Sequence, residues 1–453
     1  MKLIGLHNNF KVSFITKIYT WALIMEPLLY FVFSGGENSG INLTLGRLLQ
    51  SIVLIYLFIN IFQYKSKSKV ILEKYYKYIF KYIIIVIIGT ILSIIFYNNY
   101  KSNFEYSSTS FFINFFRGQY FRPVIEFLII LYYFIVYLLL PSFFFKTKID
   151  IQYFFKTFKK ILVFILIFGY IDFFYCLLIP GGHLIGRHLS DNMYVGVRFH
   201  SFCGEPRDSF VFLIFSYLIL ILESIFNKTK INKLFILAIF IALILTQSAS
   251  GILGLFFTIF LLIFFSSNFN YKLFFYTLLF IFILLIISII LINSSERLSM
   301  YFDAYKEVFN ILQSNEELPY LLYVQSVNIF PIWKLYINTI NFNLLPVLFG
   351  SGIGSSSFLN NSYIQFEDLA NTNSQLVRLL YEAGLVGTFY FIKIFTTTFF
   401  HFSKLQKIDN KLCYYSFFLL IGANLSHRST SIYIASGILL ILINYRKMNK
   451  ELQ

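Results

Sequence analysis

The chain has 453 residues, 58% of them hydrophobic, with 59 Phe, 34 Tyr and only 13% charged residues. Soluble domains carry about 25% charged residues, so this composition excludes an ordinary soluble enzyme. The net charge of +16 sits in lysine-rich segments between apolar runs and accompanies no nucleic-acid-binding motif, which excludes a nucleic-acid partner.

Apolar runs of bilayer-spanning length, about 20 residues each, recur along the whole chain. A membrane barrel would show alternating segments of about ten residues instead. The expectation is therefore an all-α polytopic membrane protein, a single domain over 1–453 with about twelve transmembrane helices. The first run, Phe14 to Phe33, is too long for a signal core and lacks a small-residue cleavage site, so it reads as a span. The expected spans are 13–33, 46–62, 78–96, 124–145, 161–179, 209–226, 233–246, 250–265, 272–292, 376–399, 412–426 and 430–445. The seventh and eighth are short and separated only by Thr-Gln-Ser-Ala-Ser.

Positive charge orients this map. Lysines crowd the N-terminus, every second connection and the C-terminus, which places both termini in the cytoplasm. Arg446 is the only arginine on that side. Arg47, Arg117, Arg122, Arg187, Arg198, Arg207, Arg297, Arg378 and Arg428 all fall on the outer side. Topology needs only charge, and lysine supplies it. Arginine adds a planar fork that grips phosphate or carboxylate with two hydrogen bonds. One-sided arginine points to an outward-facing site for an anionic ligand. The acids Glu26, Glu126, Asp172 and Glu382 fall in or beside spans, where ionisable groups face a cavity or a partner. Arg122 with Glu126 and Arg378 with Glu382 stand at helical i,i+4 spacing, which suits either a structural ion pair or a site.

Two outer connections stand out, 180–208 and 293–375. An ordered loop of about 80 residues usually has a task. In the second, Leu298, Tyr301, Phe302, Tyr305, Val308, Phe309 and Leu312 repeat at three and four and form one apolar helical face, fit for the membrane surface, a cavity or the other helices. In the first, Arg198 and Arg207 flank Glu205 and Pro206 just before the sixth span. An acid there also suits a helix N-terminus. His183, His188 and His200 share this loop at spacings that fit no metal motif, and Cys176, Cys203 and Cys413 are far apart, so neither metal nor disulfide is expected.

Four segments together carry a resemblance. They are RFHSFCGEP (198–206), LTQSASGILGLF (245–256), LFGSGIGSSS (348–357) and NTNSQLVRLLYEAGLVGTFYF (371–391). In order, spacing and sidedness they resemble the O-antigen polymerase and ligase superfamily, the Wzy-like membrane glycosyltransferases. The likeness covers roughly 185–400. It implies a GT-C-like architecture with an outer active site, a polyprenyl-pyrophosphate-linked glycan as donor and a second lipid-linked unit as acceptor. It also implies no cofactor, a chain-length regulator protein as partner, and residence in the inner membrane. Ligases and many polymerases carry a His before the Asn of the fourth segment, and this chain has Thr372 before Asn373, which disfavours a ligase that uses that His as its base.

The implied reaction needs a stabilised leaving pyrophosphate and a positioned acceptor hydroxyl. Fixed guanidinium groups in a partly dry site supply the first. Arg198 and Arg378 are the expected catalytic arginines, with Arg207, Arg117, Arg122 and Arg428 binding substrate. Glu205 is the first candidate base, and Glu382, Glu367, Asp368 and a loop histidine are the others. Gly352, Asn373, Glu382 and His200 complete the expected substrate contacts. The glycines around Gly352 suit either close approach of backbone to substrate or a plain turn. A flippase or other transporter is the competing class, but internal repeats and charges along a whole pathway are lacking.

Overall fold

The computed structural model describes residues 12–28, 32–34, 42–60, 73–97, 121–179, 184–185, 197–265, 296–314, 327–363, 372–406 and 411–451. Among these, five helices are long and apolar enough to cross a membrane: Lys77–Ile95, Phe121–Phe144, Lys148–Leu178, Pro206–Asn227 and Gly384–Lys404. Shorter apolar helices at Phe14–Met25, Leu45–Ile59, Leu412–Ser426 and Ser431–Arg446 accompany them. The protein is a helical membrane protein, with one short antiparallel ribbon as its only described sheet.

Helix α1 (Phe14–Met25) starts where the Ser13 side chain accepts the Thr16 N–H at 3.2 Å. It stops two residues before Pro27, which has no N–H to carry a helix on. The expected first span, 13–33, is therefore too long. Its last residues, β1 (Val32–Ser34), pair with β2 (Asn42–Thr44) instead. Helix α2 (Leu45–Asn60) follows directly. Helix α3 (Glu73–Leu92) ends in a π turn over Ser93–Tyr97. Helix α4 (Phe121–Tyr133) continues through a π turn at Phe134–Leu139 into Pro141–Phe144. Helix α5 (Lys148–Leu178) opens with a capping box, in which Thr147 and Asp150 satisfy each other's backbone N–H groups at 3.0 and 3.2 Å. Helix α6 (Pro206–Asn227) takes Pro206 in its first turn and ends at Lys228, which is left-handed with φ 55°.

Helices α7 (Lys233–Leu245) and α8 (Ala249–Phe265) meet at 115° and together have the length and apolarity of one bent span. The two full crossings expected at 233–246 and 250–265 are thus a broken pair. Their turn includes Gln247 at φ 44°, and Ser248 Oγ accepts the Gly251 N–H at 3.2 Å to start α8. The expected ninth span, 272–292, lies outside the described residues. The long segment 293–375 holds α9 (Glu296–Ser314), α10 (Ile329–Ile340), α11 (Leu344–Phe349) and α12 (Ser355–Tyr363). On the expected apolar face of α9, Val308 and Leu312 pack on Ile329 and Phe330 of α10, so that face meets another helix.

The expected span 376–399 is also broken. Helix α13 (Gln375–Glu382) stops at Ala383, and α14 (Gly384–Gln406) restarts at Gly384 with φ +68°. Arg378 and Glu382 therefore lie on a short helix outside the span. Helices α15 (Lys411–Ser426) and α16 (Ser431–Glu451) close the chain. Between helices in lipid there is little hydrophobic drive, so close packing must hold them. Small residues supply it at the α8–α15 crossing, where a Cβ on Gly254 would lie 2.9 Å from the Ala423 Cα.

The strip Gly350–Gly354 fills the break between α13 and α14. Its Ser351 and Gly352 N–H groups donate to the Tyr381 and Glu382 carbonyls at 2.7 and 3.2 Å. Gly350 has φ +89°, and a Cβ there would collide with the Glu382 carbonyl and lie 2.6 Å from the Ala383 nitrogen. On the other side, the Ile353 N–H donates to Thr90 Oγ1 on α3 at 3.2 Å. The glycines thus serve a tight backbone junction. Gly350→Ala is expected to cost at least about 1–3 kcal/mol from backbone strain alone, read as a lower unfolding temperature in detergent. An unchanged melt would contradict the junction.

Candidate functional site

A buried ionic cluster forms where several helix ends meet. Glu126 lies in the second turn of α4 and is 3% exposed. One carboxylate oxygen accepts Arg122 Nη2 at 2.7 Å, and the other accepts Arg378 Nη2 at 2.7 Å, with Arg428 Nη2 at 3.8 Å. Arg378 Nε reaches Glu382 Oε2 at 3.1 Å, and Ser356 Oγ donates to Glu382 Oε1 at 2.6 Å. The expected i,i+4 pairs therefore join into one network through Glu126. Gly354 stands directly behind it: a Cβ there would lie 3.0 Å from the Arg122 side chain.

The network has three guanidinium groups and two carboxylates, a net charge of one positive. Both carboxylates are hydrogen-bonded as acceptors and act as fixed anions. Arg378 Nη1 is buried and meets no hydrogen-bond partner among the described residues. Arg428 is the most open of the three, with a third of its side chain exposed, and lies 5.9 Å over the Tyr133 ring. Beside them lies a half-open cleft of about 550 Å³, solvent space at its mouth included. Glu126, Arg378, Glu382 and Arg428 give its polar wall, and Tyr82, Val86, Ile130 and Ile353 its apolar one.

A second cluster adjoins the first through the pair His427–Arg428. His427 Nε2 lies 2.7 Å from Asp208 Oδ1 in the first turn of α6. With that nitrogen donating, Nδ1 is left as an acceptor, and it is buried without a hydrogen-bond partner among the described residues. Glu205 pairs with Arg207 at the same helix start, both side chains partly exposed, and neither lines the cleft. Arg198 and His200 are buried nearby. His200 Nε2 lies 3.3 Å from Asp172 Oδ2, while Asp172 Oδ1 accepts the Leu184 and Ile185 N–H groups at 2.8 and 2.9 Å. Asp172 thereby ties the loop to α5. Cys203 is buried, and burial pushes its thiol pKa up, which leaves it unreactive.

Of the expected site residues, the structure brings Arg122, Arg378, Glu382 and Arg428 together and leaves Arg198, His200, Glu205 and Arg207 off the cleft. Gly352 belongs to the backbone junction, and Asn373 is half-buried before α13, away from the cleft lining. Arg117, Arg187, His183, His188, Glu367 and Asp368 lie outside the described residues. Among the described residues, no three His, Cys, Asp or Glu side chains stand together as metal ligands. Sequence reasoning passed over Tyr82, Gln375, Asn424, His427, Tyr433 and Ser356. His427 alone carried a signal, as the neighbour of an outer arginine. No family model matches this chain, and no curated protein matches it.

Removing one partner from a buried ionic network leaves the others uncompensated. Glu126→Gln is expected to lower stability by about 3–5 kcal/mol, whereas Glu205→Gln, at a partly exposed pair, costs about 0–1 kcal/mol. Thermal unfolding of both purified variants compares them directly. Equal small losses would mean that Glu126 does not organise the cluster.

Proposed function

We propose that this protein is a membrane glycosyltransferase that polymerises polyprenyl-pyrophosphate-linked oligosaccharide units into a polysaccharide such as O-antigen or capsule. One observation carries the reading: the cleft is walled by Arg378 and Arg428 with Glu126 and Glu382, within a cluster of three guanidinium groups to two carboxylates, and Arg378 Nη1 lies beside it with no hydrogen-bond partner among the described residues. A developing pyrophosphate anion fits such a wall, because preorganised donors in a partly dry site stabilise charge without reorganising. The four-part sequence resemblance supports the same chemistry. In this reading the architecture is GT-C-like with about twelve spans, both termini are cytoplasmic, and the cleft opens on the outer face of the inner membrane. The donor and acceptor are both lipid-linked, a chain-length regulator assists, and no cofactor takes part.

Arg378 and Arg428 hold the leaving pyrophosphate, with Arg122 fixing Glu126 behind them. The carboxylates Glu126 and Glu382 orient the guanidinium groups. His427, held by Asp208 and adjacent in sequence to Arg428, is the first candidate base for the acceptor hydroxyl, although, like Glu205, it lies outside the cleft lining. Glu205 is the alternative, held near it by Arg207. Lysine keeps charge but lacks the fork. Arg378→Lys and Arg428→Lys are therefore expected to reach the membrane and lose most polymerisation on purified lipid-linked units. His427→Gln should lose about 10²-fold or more if it is the base, and Glu205→Gln should then keep most turnover. The opposite ranking would return the role to Glu205.

A ligase on the same scaffold and a flippase are the other readings. Deleting the gene separates them. Single repeat units on the acceptor mean polymerase, a bare acceptor with lipid-linked polymer means ligase, and units held on the cytoplasmic side mean flippase. For the topology, a cysteine at Ser314 should react with an impermeant label from outside, and one at Ser66 should not. The reverse pattern would place the cleft on the cytoplasmic side.

A further inference from the structure

Residues 327–349 read as part of an outer loop, yet their surface is that of a membrane segment. Lys334 is the only charged residue among them. On α10, Ile332, Tyr336 and Ile340 are exposed at four-residue spacing and form one stripe, while Phe330, Pro331 and Asn338 face inward. The stripe continues past the turn through Phe342, Leu344, Leu345 and Leu348. Phe342 stands at the apex, 86% exposed and held at φ 54°. A bulky residue at positive φ is strained, and this one presents almost its whole ring outward.

Two spans fix the depth of this elbow. The Phe349 carbonyl packs on Gly89 of α3, and the apolar stretch of α3 runs on to Ile95. At 1.5 Å per residue that contact lies about 9 Å inside the end of the span. The Leu348 carbonyl packs on Gly384, the first residue of the apolar stretch Gly384–Lys404. The end of α11 therefore touches one apolar stretch at its first residue and another about 9 Å inside its end, which places it at or below the margin of both. Around it, Ile87, Ile88 and Ile91 of α3 and Leu385 of α14 are exposed apolar side chains, so the elbow prolongs the lipid-facing surface of the bundle.

We infer that the α10–α11 elbow is an interfacial membrane hairpin, its exposed face covered by the acyl chains of bilayer lipid. Amphipathic segments of this kind lie in the interface plane with their apolar side in the acyl boundary. Lys334, half-exposed, is long enough to reach the headgroups. Because Gly350 follows Phe349 directly, the hairpin anchors the strip that brackets Glu382. This assignment does not depend on the reaction the protein performs.

The chain has two tryptophans, Trp21 and Trp333, so a single-tryptophan reporter needs few changes. With both replaced by Phe, Phe342→Trp is reconstituted in vesicles of lipid brominated on its acyl chains. The expected result is blue-shifted emission, quenched severalfold more by the brominated lipid than by aqueous iodide. Dominant quenching by iodide would put the elbow in water, and protection from both quenchers would mean that a second copy or another protein covers it; either overturns the proposal. Should the reporter fail to fold, a spin label at Phe342→Cys in the otherwise native chain, whose own cysteines are buried, reads the same contrast from oxygen against a water-soluble relaxant.

Discussion

One carboxylate shared among three guanidinium groups governs the middle of this protein. Glu126 is buried in a helix of membrane-spanning length, where a lone charge is costly. It is tolerated because Arg122, Arg378 and Arg428 surround it. Those arginines come from α4 itself, from α13 and from the turn between α15 and α16, so satisfying one charge fastens distant segments together. The same charges set the polarity of the cleft.

The break between α13 and α14 follows from this constraint. Arg378 and Glu382 must turn toward Glu126, while the next residues must continue as a lipid-facing span. A straight helix cannot do both. Gly384, at positive φ, permits the change of direction, and the strip Gly350–Gly354 caps the carbonyls that the break leaves open. Freed backbone groups at membrane depth need such internal partners. Gly89 and Gly384 then allow the neighbouring backbone to come into contact. The glycine-rich segment is thus the mortar of the site, and its chemistry is carried by the side chains that it positions.

The ends of the bundle differ in kind. At one end, lysines such as Lys159 make a loose 3.9 Å pair with Glu223. At the other, arginines meet carboxylates: Glu126 is buried among three of them, and Arg47 of α2, partly exposed, lies 3.4 Å from the buried Glu26. Lysine suffices where charge only marks a side of the membrane. Arginine is used where charge must be held in a fixed plane with several donors.

The sequence by itself determined the helical membrane class and the position of the long apolar helices, because hydropathy is a local property that each segment carries alone. It also showed the pairs Arg122–Glu126 and Arg378–Glu382, which follow from helical spacing. Only the tertiary structure decided that these pairs are one network, that Arg428 joins it and that Glu205 and Arg207 stay apart from the cleft. It likewise decided that α1 stops at Met25 and that α13 and α14 separate at Gly384. The physical reason is common to all of these. A shared carboxylate, a backbone break and a close glycine contact depend on partners tens to hundreds of residues away, and no periodicity in the chain records where such partners will meet.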